Sequence, residues 1–310
     1  MISSMNWFLI ALGAPFLWAI VNIADDYLVT KFSNKETERG SGGLVLFSSL
    51  IGLFIAFFIW FFVGGVLDVS SMDKILLLVT GGLTIVWIIF YLYALEIEEI
   101  SSVVPWFLVS PIFGYFFGYI FLGETLTKFQ IIGTLIILFG AFLISIDFNE
   151  KVKKIKRKPA FYMICACVAI AISGVIFKSV TIEGNFWISS FWEYLGLGMF
   201  GIIIYIFIPK YRREFHFMNK TGGRKIFLIN TVSELMSVAG NLLTNFALLL
   251  APVTMVYLVS TFQPAIVLVL TILGTKFMPH IIKENISRKA LIPKMIAIII
   301  MILGSVFLFV

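Results

Sequence analysis

The chain of 310 residues is too apolar for a water-soluble protein: 60% of its residues are apolar, 13% are charged, and the mean hydropathy is +1.05. A soluble domain has roughly a quarter of its residues charged. The composition therefore excludes a soluble enzyme and a soluble nucleic-acid-binding domain. The excess of basic residues, a net charge of +6, therefore belongs to a membrane protein.

Ten apolar stretches are long enough to cross a bilayer, whose core of about 30 Å requires roughly 20 helical residues. They are 6–30, 43–67, 73–95, 101–122, 128–147, 160–181, 186–208, 225–249, 253–273 and 290–310. Helices satisfy their own backbone hydrogen bonds in lipid. We therefore predict an all-α integral membrane fold with ten transmembrane helices.

The basic residues are concentrated on one side of the predicted membrane. If the amino-terminal side is named side A, the loops after odd-numbered segments lie on side B, where 20 of the 23 Lys and Arg residues fall. Basic loops usually face the cytoplasm, so we predict that side B is cytoplasmic and both termini are outside, in the inner membrane of a prokaryotic cell. The predicted cytoplasmic loops are 31–42, 148–160, 209–225 and 274–289.

An internal repeat divides the chain into two halves. Ala94 and Pro111 lie 17 residues apart, as do Ala247 and Pro264, and both intervals contain the sequence Leu-Val-Ser. Each half has an odd number of segments, so equivalent helices run in opposite directions. We predict two inverted five-helix repeats, 1–149 and 150–310, around a central cavity, as in many secondary transporters. Two halves in one chain make a monomer sufficient, and a dimer remains open.

The repeated motifs also carry a family resemblance. They are Tyr93-Ala94-Leu95, Pro111, Phe121-Leu122-Gly123-Glu124-Thr125-Leu126, Gln130, Gly133 and Gly140 in the first half, and Phe246-Ala247-Leu248, Pro264 and Gly304 in the second. With these residues the chain resembles EamA-type transporters of the drug/metabolite transporter superfamily over nearly its whole length. The resemblance implies ten helices, a cavity shared by the halves, and movement of metabolites, amino acids or drug-like solutes.

The chain departs from that family pattern in two respects. Where the pattern would repeat Leu-Gly-Glu, the second half has Leu273-Gly274-Thr275-Lys276. Members of the family usually look as though both termini are cytoplasmic, whereas the basic residues of this chain predict the opposite orientation. We follow the charges for this chain.

Two glutamates lie near the middle of predicted membrane segments. Charged side chains are costly in lipid, so those that persist usually face a cavity and have a function. Burial also favours the neutral form of a carboxyl group, which makes Glu193 and Glu234 candidates for binding and releasing a proton. A cation or the amine of a substrate would use the same carboxylates, and the sequence does not separate these roles.

Glu234 belongs to a polar series in segment eight whose spacings of four, three, four and four residues follow one helix face. The series is Asn230, Glu234, Ser237, Asn241 and Asn245. We interpret it as the lining of a cavity. The alternative is a row of interhelical hydrogen bonds that holds the bundle together.

Further candidates for substrate binding are polar or aromatic residues within the segments: Trp192, Tyr194, Gln263, Tyr257, Asn22, Trp18, Trp106, Ser110 and Tyr91. Aromatic residues in such segments also form belts at the membrane interface. Pro111 and Pro264 are expected to kink their helices. The kinks suit a gate, and a purely structural role is equally open.

No catalytic or cofactor-binding arrangement is expected. The histidines, His216 and His280, fall in predicted loops, so neither a metal site nor a Ser-His-Asp arrangement can be assembled near the membrane core. Phosphate-binding glycine motifs are absent. We therefore predict no enzyme activity, no metal, no cofactor and no nucleic-acid partner.

Other charged residues are assigned to the membrane interface. Asp25 and Asp26 come late in segment one, and we expect an interfacial ion pair with Lys31. Lys178 is expected to extend outward from the end of segment six.

The sequence thus predicts a secondary active transporter that moves a small metabolite, amino acid or drug-like solute by alternating access. Its predicted partners are the small-molecule substrate, membrane lipids and, if transport is proton-coupled, protons. A flippase or scramblase for lipids or other amphipathic molecules and a non-transporting membrane receptor remain alternatives.

Overall fold

The computed structural model describes residues 2–32, 41–98, 103–145, 157–181, 184–277 and 288–309, and within these ranges its regular structure is helical. The helices are α1 Ile2–Phe32, α2 Gly42–Phe62, α3 Ser71–Leu95, α4 Ser110–Leu122, α5 Lys128–Ser145, α6 Arg157–Thr181, α7 Phe186–Phe207, α8 Pro209–Leu250, α9 Val253–Ser260, α10 Gln263–Phe277 and α11 Arg288–Val306. Short 3₁₀ helices, Val104–Val109 and Phe307–Phe309, precede α4 and follow α11.

The predicted membrane-spanning segments correspond to these helices. Among the described residues, nine helices are long and apolar enough to cross a membrane, and Lys128–Leu143 is a shorter apolar helix. The all-α integral membrane fold is thereby confirmed.

Helix α8 has 42 residues and is longer than predicted. The sequence predicts a loop for its basic first part. A break at Gly223, with φ 64° and ψ −172°, separates this first part from the spanning part. Glycine tolerates this conformation because it has no Cβ. Residues 209–225, including His216, are therefore helical apart from this break, and the prediction of a loop there is wrong. Parts of the other predicted loops, including 33–40, 148–156 and 278–287 with His280, lie outside the described residues.

The first part of α8 packs against the amino-terminal end of α2. The backbone N–H of Gly42 donates to Glu214 Oε2 at 2.9 Å. Ser41 Oγ donates to Glu96 Oε1 at 2.7 Å. Carboxylates at a helix amino terminus satisfy free N–H groups and complement the helix dipole. These contacts fix the side B end of α2, next to the cavity described below.

Two spans are interrupted where the sequence places proline. Pro111 is the second residue of α4, which directly follows the 3₁₀ helix Val104–Val109, and Pro264 is the second residue of α10, which begins just after α9 ends at Ser260. Because proline lacks an N–H group, it is well tolerated in a first helical turn. Their role in gating remains a prediction.

The two halves of the chain contact each other through many pairs of helices. Helix α3 packs on α6, α1 on α8, α2 on α7, and α5 on α11. At the crossing of α3 and α7, a Cβ added to Gly81 would lie 2.2 Å from the carbonyl oxygen of Glu193. A Cβ added to Gly196 would lie 2.4 Å from the carbonyl oxygen of Leu78. Glycine at both positions lets the two backbones touch, which fixes the depth of α7 and of Glu193.

Candidate functional site

A cavity lies between the two halves and takes its walls from both. It has a volume of about 110 Å³, which leaves room for several water-sized groups. The polar residues of its wall mostly carry amide, hydroxyl or carboxylate groups, and the remaining wall residues are apolar or aromatic. The lining residues are Trp18, Val21, Asn22, Asp25, Leu44, Ser48, Thr84, Trp87, Ile88, Tyr91, Leu92, Phe107, Ser110, Ile170, Ser173, Gly174, Glu193, Glu234, Ser237, Asn241, Thr244, Asn245, Tyr257, Ser260 and Gln263.

The cavity lies closer to side B than to side A. Leu44 is within the first turn of α2 and Leu92 within the last turn of α3, and both ends are on side B. Toward side A, the lining stops at Glu193, roughly 10 Å into α7 at the helical rise, and at Tyr257, one turn into α9.

Glu193 is held at the deep end of the cavity by two amides of α8. Asn245 Nδ2 donates to Glu193 Oε2 at 2.7 Å, and Asn241 Nδ2 donates to Oε1 at 3.4 Å. Only 3% of Glu193 is exposed. Both donors are neutral, so they orient the carboxylate without compensating its charge.

Glu234 and Asp25 form a second acidic region on the side B half of the cavity. Glu234 accepts a hydrogen bond from Ser48 Oγ of α2. Asp25 of α1 also lines the cavity. Two carboxylates in the same cavity repel when both are ionised, so this region favours a bound cation or a proton.

Among the lining residues that the structure describes, Asp25, Glu193 and Glu234 are the charged side chains, and none is a lysine, arginine or histidine. The cavity is therefore acidic and has no counter-ion in its own wall. No cluster of three or more His, Cys, Asp or Glu side chains suited to a metal occurs among the described residues.

Comparison with known family models finds a similarity in the first half of the chain. The model of the EamA-like transporter family matches residues 5–146. Over these residues, slightly less than half of the chain, the sequence is similar to that family. This family is a branch of the drug/metabolite transporter superfamily, and its members are membrane transporters.

The whole chain shares its fold with solved structures, of which 28 chains match. One of them, a crystal structure without a stated function, has a TM-score of 0.68 and 14% sequence identity, and the alignment covers 97% of this chain and 96% of that chain. At this identity the likeness concerns the fold alone. No curated protein matches the sequence.

Most of the polar series on α8 lines the cavity. Glu234, Ser237, Asn241 and Asn245 all border it. Asn230, the first member, instead borders a neighbouring recess beside Phe47. The series serves both roles considered for it, because Asn241 and Asn245 also form interhelical hydrogen bonds to Glu193.

The structure places most of the other predicted binding residues in the same cavity. They are Trp18, Asn22, Tyr91, Ser110, Tyr257 and Gln263. Tyr91 donates to Asn22 Oδ1 at 3.0 Å, and Tyr257 donates to the carbonyl of Ile170 at 2.9 Å. The two tyrosine rings are thus oriented by polar partners at their tips.

Three predicted binding residues do not line the cavity. Trp192 points away, with its indole N–H donating to the carbonyl of Val66 at 2.8 Å. Tyr194 is buried between α7 and α8, where its hydroxyl donates to the carbonyl of Val238 at 3.3 Å. Trp106 packs into the core on the α3 side, as one of its partly buried residues.

Glu124, the acidic residue of the Phe-Leu-Gly-Glu-Thr-Leu motif, lies at the side A end of the bundle. Lys178 Nζ is 2.6 Å from Glu124 Oε1 and donates to the carbonyl of Ala251 at 2.7 Å. Glu124 Oε2 accepts the backbone N–H of Val253, the first residue of α9, at 2.7 Å. Lys178 is 7% exposed, so the prediction that it extends outward is wrong. This cluster joins the side A ends of α4, α6 and α9.

Sequence reasoning missed several lining residues, of which Asp25 is the most important. Helix α1 continues to Phe32, so Asp25 lies about two turns from its end, in the cavity wall. Asp25 follows Asn22 by three residues and Trp18 by seven, the spacing of one helix face. That periodicity was the available signal, and the nearby Lys31 obscured it. The other missed residues include four small hydroxyl side chains, Ser48, Thr84, Ser173 and Thr244, and several apolar or aromatic wall residues.

Proposed function

We propose that the protein is a secondary transporter that carries a small solute across the membrane through the acidic cavity by alternating access. The observation that supports this most is a cavity whose walls come from both halves and contain carboxylates near mid-depth. In secondary transporters the substrate binds between repeats near the midplane. A solute there would leave toward either side when the halves rock.

The helix contacts support two inverted repeats with the limits 1–149 and 150–310. Helices α9 and α10 together form the ninth span, and α11 forms the tenth. When each span of one half is exchanged with the span five places away in the other half, the contact of α3 with α6 becomes the contact of α8 with α1, and both contacts occur. The contacts of α2 with α7 and of α5 with α11 each map onto themselves. A twofold relation between the halves would produce this pairing.

We propose that the protein lies in the inner membrane with side B in the cytoplasm, on the basis of the basic residues. The cavity would then be nearest to the cytoplasm, and the Glu124–Lys178 pair would close the outer side. A reporter cysteine at Asp68, in the exposed segment before α3 on side A, should react in intact cells with a thiol reagent that does not cross membranes. Labelling only after lysis would reverse the orientation.

Protons are the proposed coupling ion, with Glu193 and Glu234 as the groups that bind them and Asp25 as the facing charge. Glu193 is buried and Glu234 is partly buried, and their described hydrogen-bond donors are neutral. A neutral carboxyl is favoured by such surroundings. Glu193→Gln and Glu234→Gln should each abolish stimulation by an imposed pH gradient while leaving exchange without a gradient. Undiminished stimulation in both variants would end the proton proposal.

The transport function itself is tested by counterflow with the purified protein in vesicles. Vesicles loaded with a high concentration of one unlabelled solute are diluted into its labelled form, for a panel of amino acids, nucleobases, sugars and cationic drugs. At least one solute should accumulate transiently in vesicles that contain the protein and not in empty ones. A solute that binds the purified protein without exchanging would make the protein a receptor instead.

A further inference from the structure

The charges of the cavity point to a class of solute. Asp25, Glu193 and Glu234 border it, and no basic side chain stands among its described lining residues. A buried carboxylate without a counter-ion is costly, so whatever occupies the cavity is favoured if it brings positive charge. We infer that the transported solute is a small organic monocation, an amine with an aromatic or apolar body and one neutral hydrogen-bond acceptor. This inference rests on the proposed transport function.

The hydrogen-bond acceptor of the proposed solute is inferred from an amide group in the cavity wall that has no partner. Asn22 is 5% exposed, its Oδ1 accepts the hydroxyl of Tyr91, and its Nδ2 has no hydrogen-bond partner. A buried donor without an acceptor costs about 1–3 kcal/mol. Because Asn22 lines the cavity, a solute oxygen is the group that would satisfy it. Asn22 and Asp25 are one turn apart on α1, so an amine on Asp25 places an acceptor a few bonds away beside Asn22.

The acceptor should be neutral. A carboxylate on the solute would lie among three acidic side chains and meet no basic residue in the described wall. Like charges at such distances in a low dielectric repel strongly. Zwitterionic amino acids and organic anions are therefore disfavoured relative to an amino ether, amino alcohol or amino ketone.

The body of the solute follows from the apolar wall. Trp18, Trp87, Tyr91, Phe107 and Tyr257 surround the acidic groups. Aromatic faces attract cations and pack against flat apolar groups. The cavity volume of about 110 Å³ exceeds what a bare inorganic ion requires. An organic cation uses both features of the wall, whereas a metal ion uses only the carboxylates.

The test is a binding measurement that does not depend on transport. Quenching of tryptophan fluorescence in the purified protein reports occupation of the cavity, because Trp18 and Trp87 line it. The probes are three molecules of nearly one shape: 2-phenoxyethylamine, which is a cation, 2-phenoxyethanol, which is neutral, and phenoxyacetate, which is an anion. The cation should bind at least about tenfold more tightly than the other two, since one charge-assisted hydrogen bond contributes about that factor.

Two variants assign the groups. Asp25→Asn should weaken binding of 2-phenoxyethylamine about tenfold or more, and Asp68→Asn should not change it, because Asp68 is exposed in the segment before α3 and outside the cavity. Asn22→Leu should weaken binding of 2-phenoxyethylamine several-fold. It should leave 3-phenylpropylamine unchanged, because this amine has a methylene group in place of the ether oxygen.

The outcomes separate this inference from the transport function. Equal or tighter binding of the neutral or anionic probe, or no binding of either amine, would overturn the inference and leave the counterflow result standing. Selective binding of the amine without counterflow would support the solute class and contradict transport. Equal effects of Asn22→Leu on both amines would remove the neutral acceptor from the proposal.

Discussion

Replacing Gly81 by alanine should force α3 and α7 apart at the point that fixes Glu193. The added Cβ would lie 2.2 Å from the carbonyl oxygen of Glu193 and 2.3 Å from the backbone nitrogen of Leu197. Both neighbours are backbone atoms, so no side chain can rotate away. Reaching an ordinary contact of 3.4 Å requires a movement of about 1 Å. Overpacking of this kind costs about 1–3 kcal/mol.

The displaced α7 would carry Glu193 away from the amides of α8. A misplacement of about 1 Å in a functional site can cost up to about 100-fold, so we expect counterflow at least about tenfold slower and a lower melting temperature in detergent. Gly64→Ala is the matched control, because a Cβ at Gly64 meets nothing within 4 Å. If Gly81→Ala melts and transports like the wild type, the crossing does not position Glu193.

Three further changes test other contacts by denaturant or thermal unfolding of the purified protein. Lys178→Met should destabilise the protein by about 3 kcal/mol, because the charge of Glu124 would stay in place without its partner. Adding Glu124→Gln should recover part of this loss. If the destabilising effects of the two substitutions simply add, the two side chains are not paired. Gly223→Ala should lower the free energy of unfolding by about 1–3 kcal/mol, since a backbone with φ 64° and ψ −172° is accessible to glycine alone. An unchanged melting temperature would contradict the break in the helix at this position. Glu214→Ala leaves the Gly42 N–H without its acceptor and should cost about 1–3 kcal/mol; no loss would show that water replaces the carboxylate.

Much of the fold could be predicted from the sequence because the bilayer imposes a strong constraint on length and polarity. The break in α8 could not be read in the same way, since its basic first part resembles a loop in composition. Its helical signal was present: Tyr211, Glu214 and Met218 are buried at spacings of three and four residues. A search for apolar spans alone overlooks such an amphipathic helix.

The site was only partly predictable, because some of its contacts join residues that are far apart in the sequence. Glu193 and the α8 series could be found because a charge in an apolar segment and a helical period are local signals. The partner of Lys178 is Glu124, which is 54 residues away in the chain. Trp192 and Tyr194 flank Glu193 but face other directions, because adjacent residues on a helix point about 100° apart. Sequence proximity therefore overstated their role.

Counterflow in a protein with a filled cavity tests the central claim most directly. Ser237 lines the middle of the cavity on α8, and Ser237→Trp would place a large ring where the solute is proposed to bind. Leu250→Trp, at the exposed end of the same helix, controls for the added tryptophan. The account predicts that a solute exchanged by the wild type and by Leu250→Trp is no longer exchanged by Ser237→Trp. Exchange at the wild-type rate by a folded Ser237→Trp protein would contradict it.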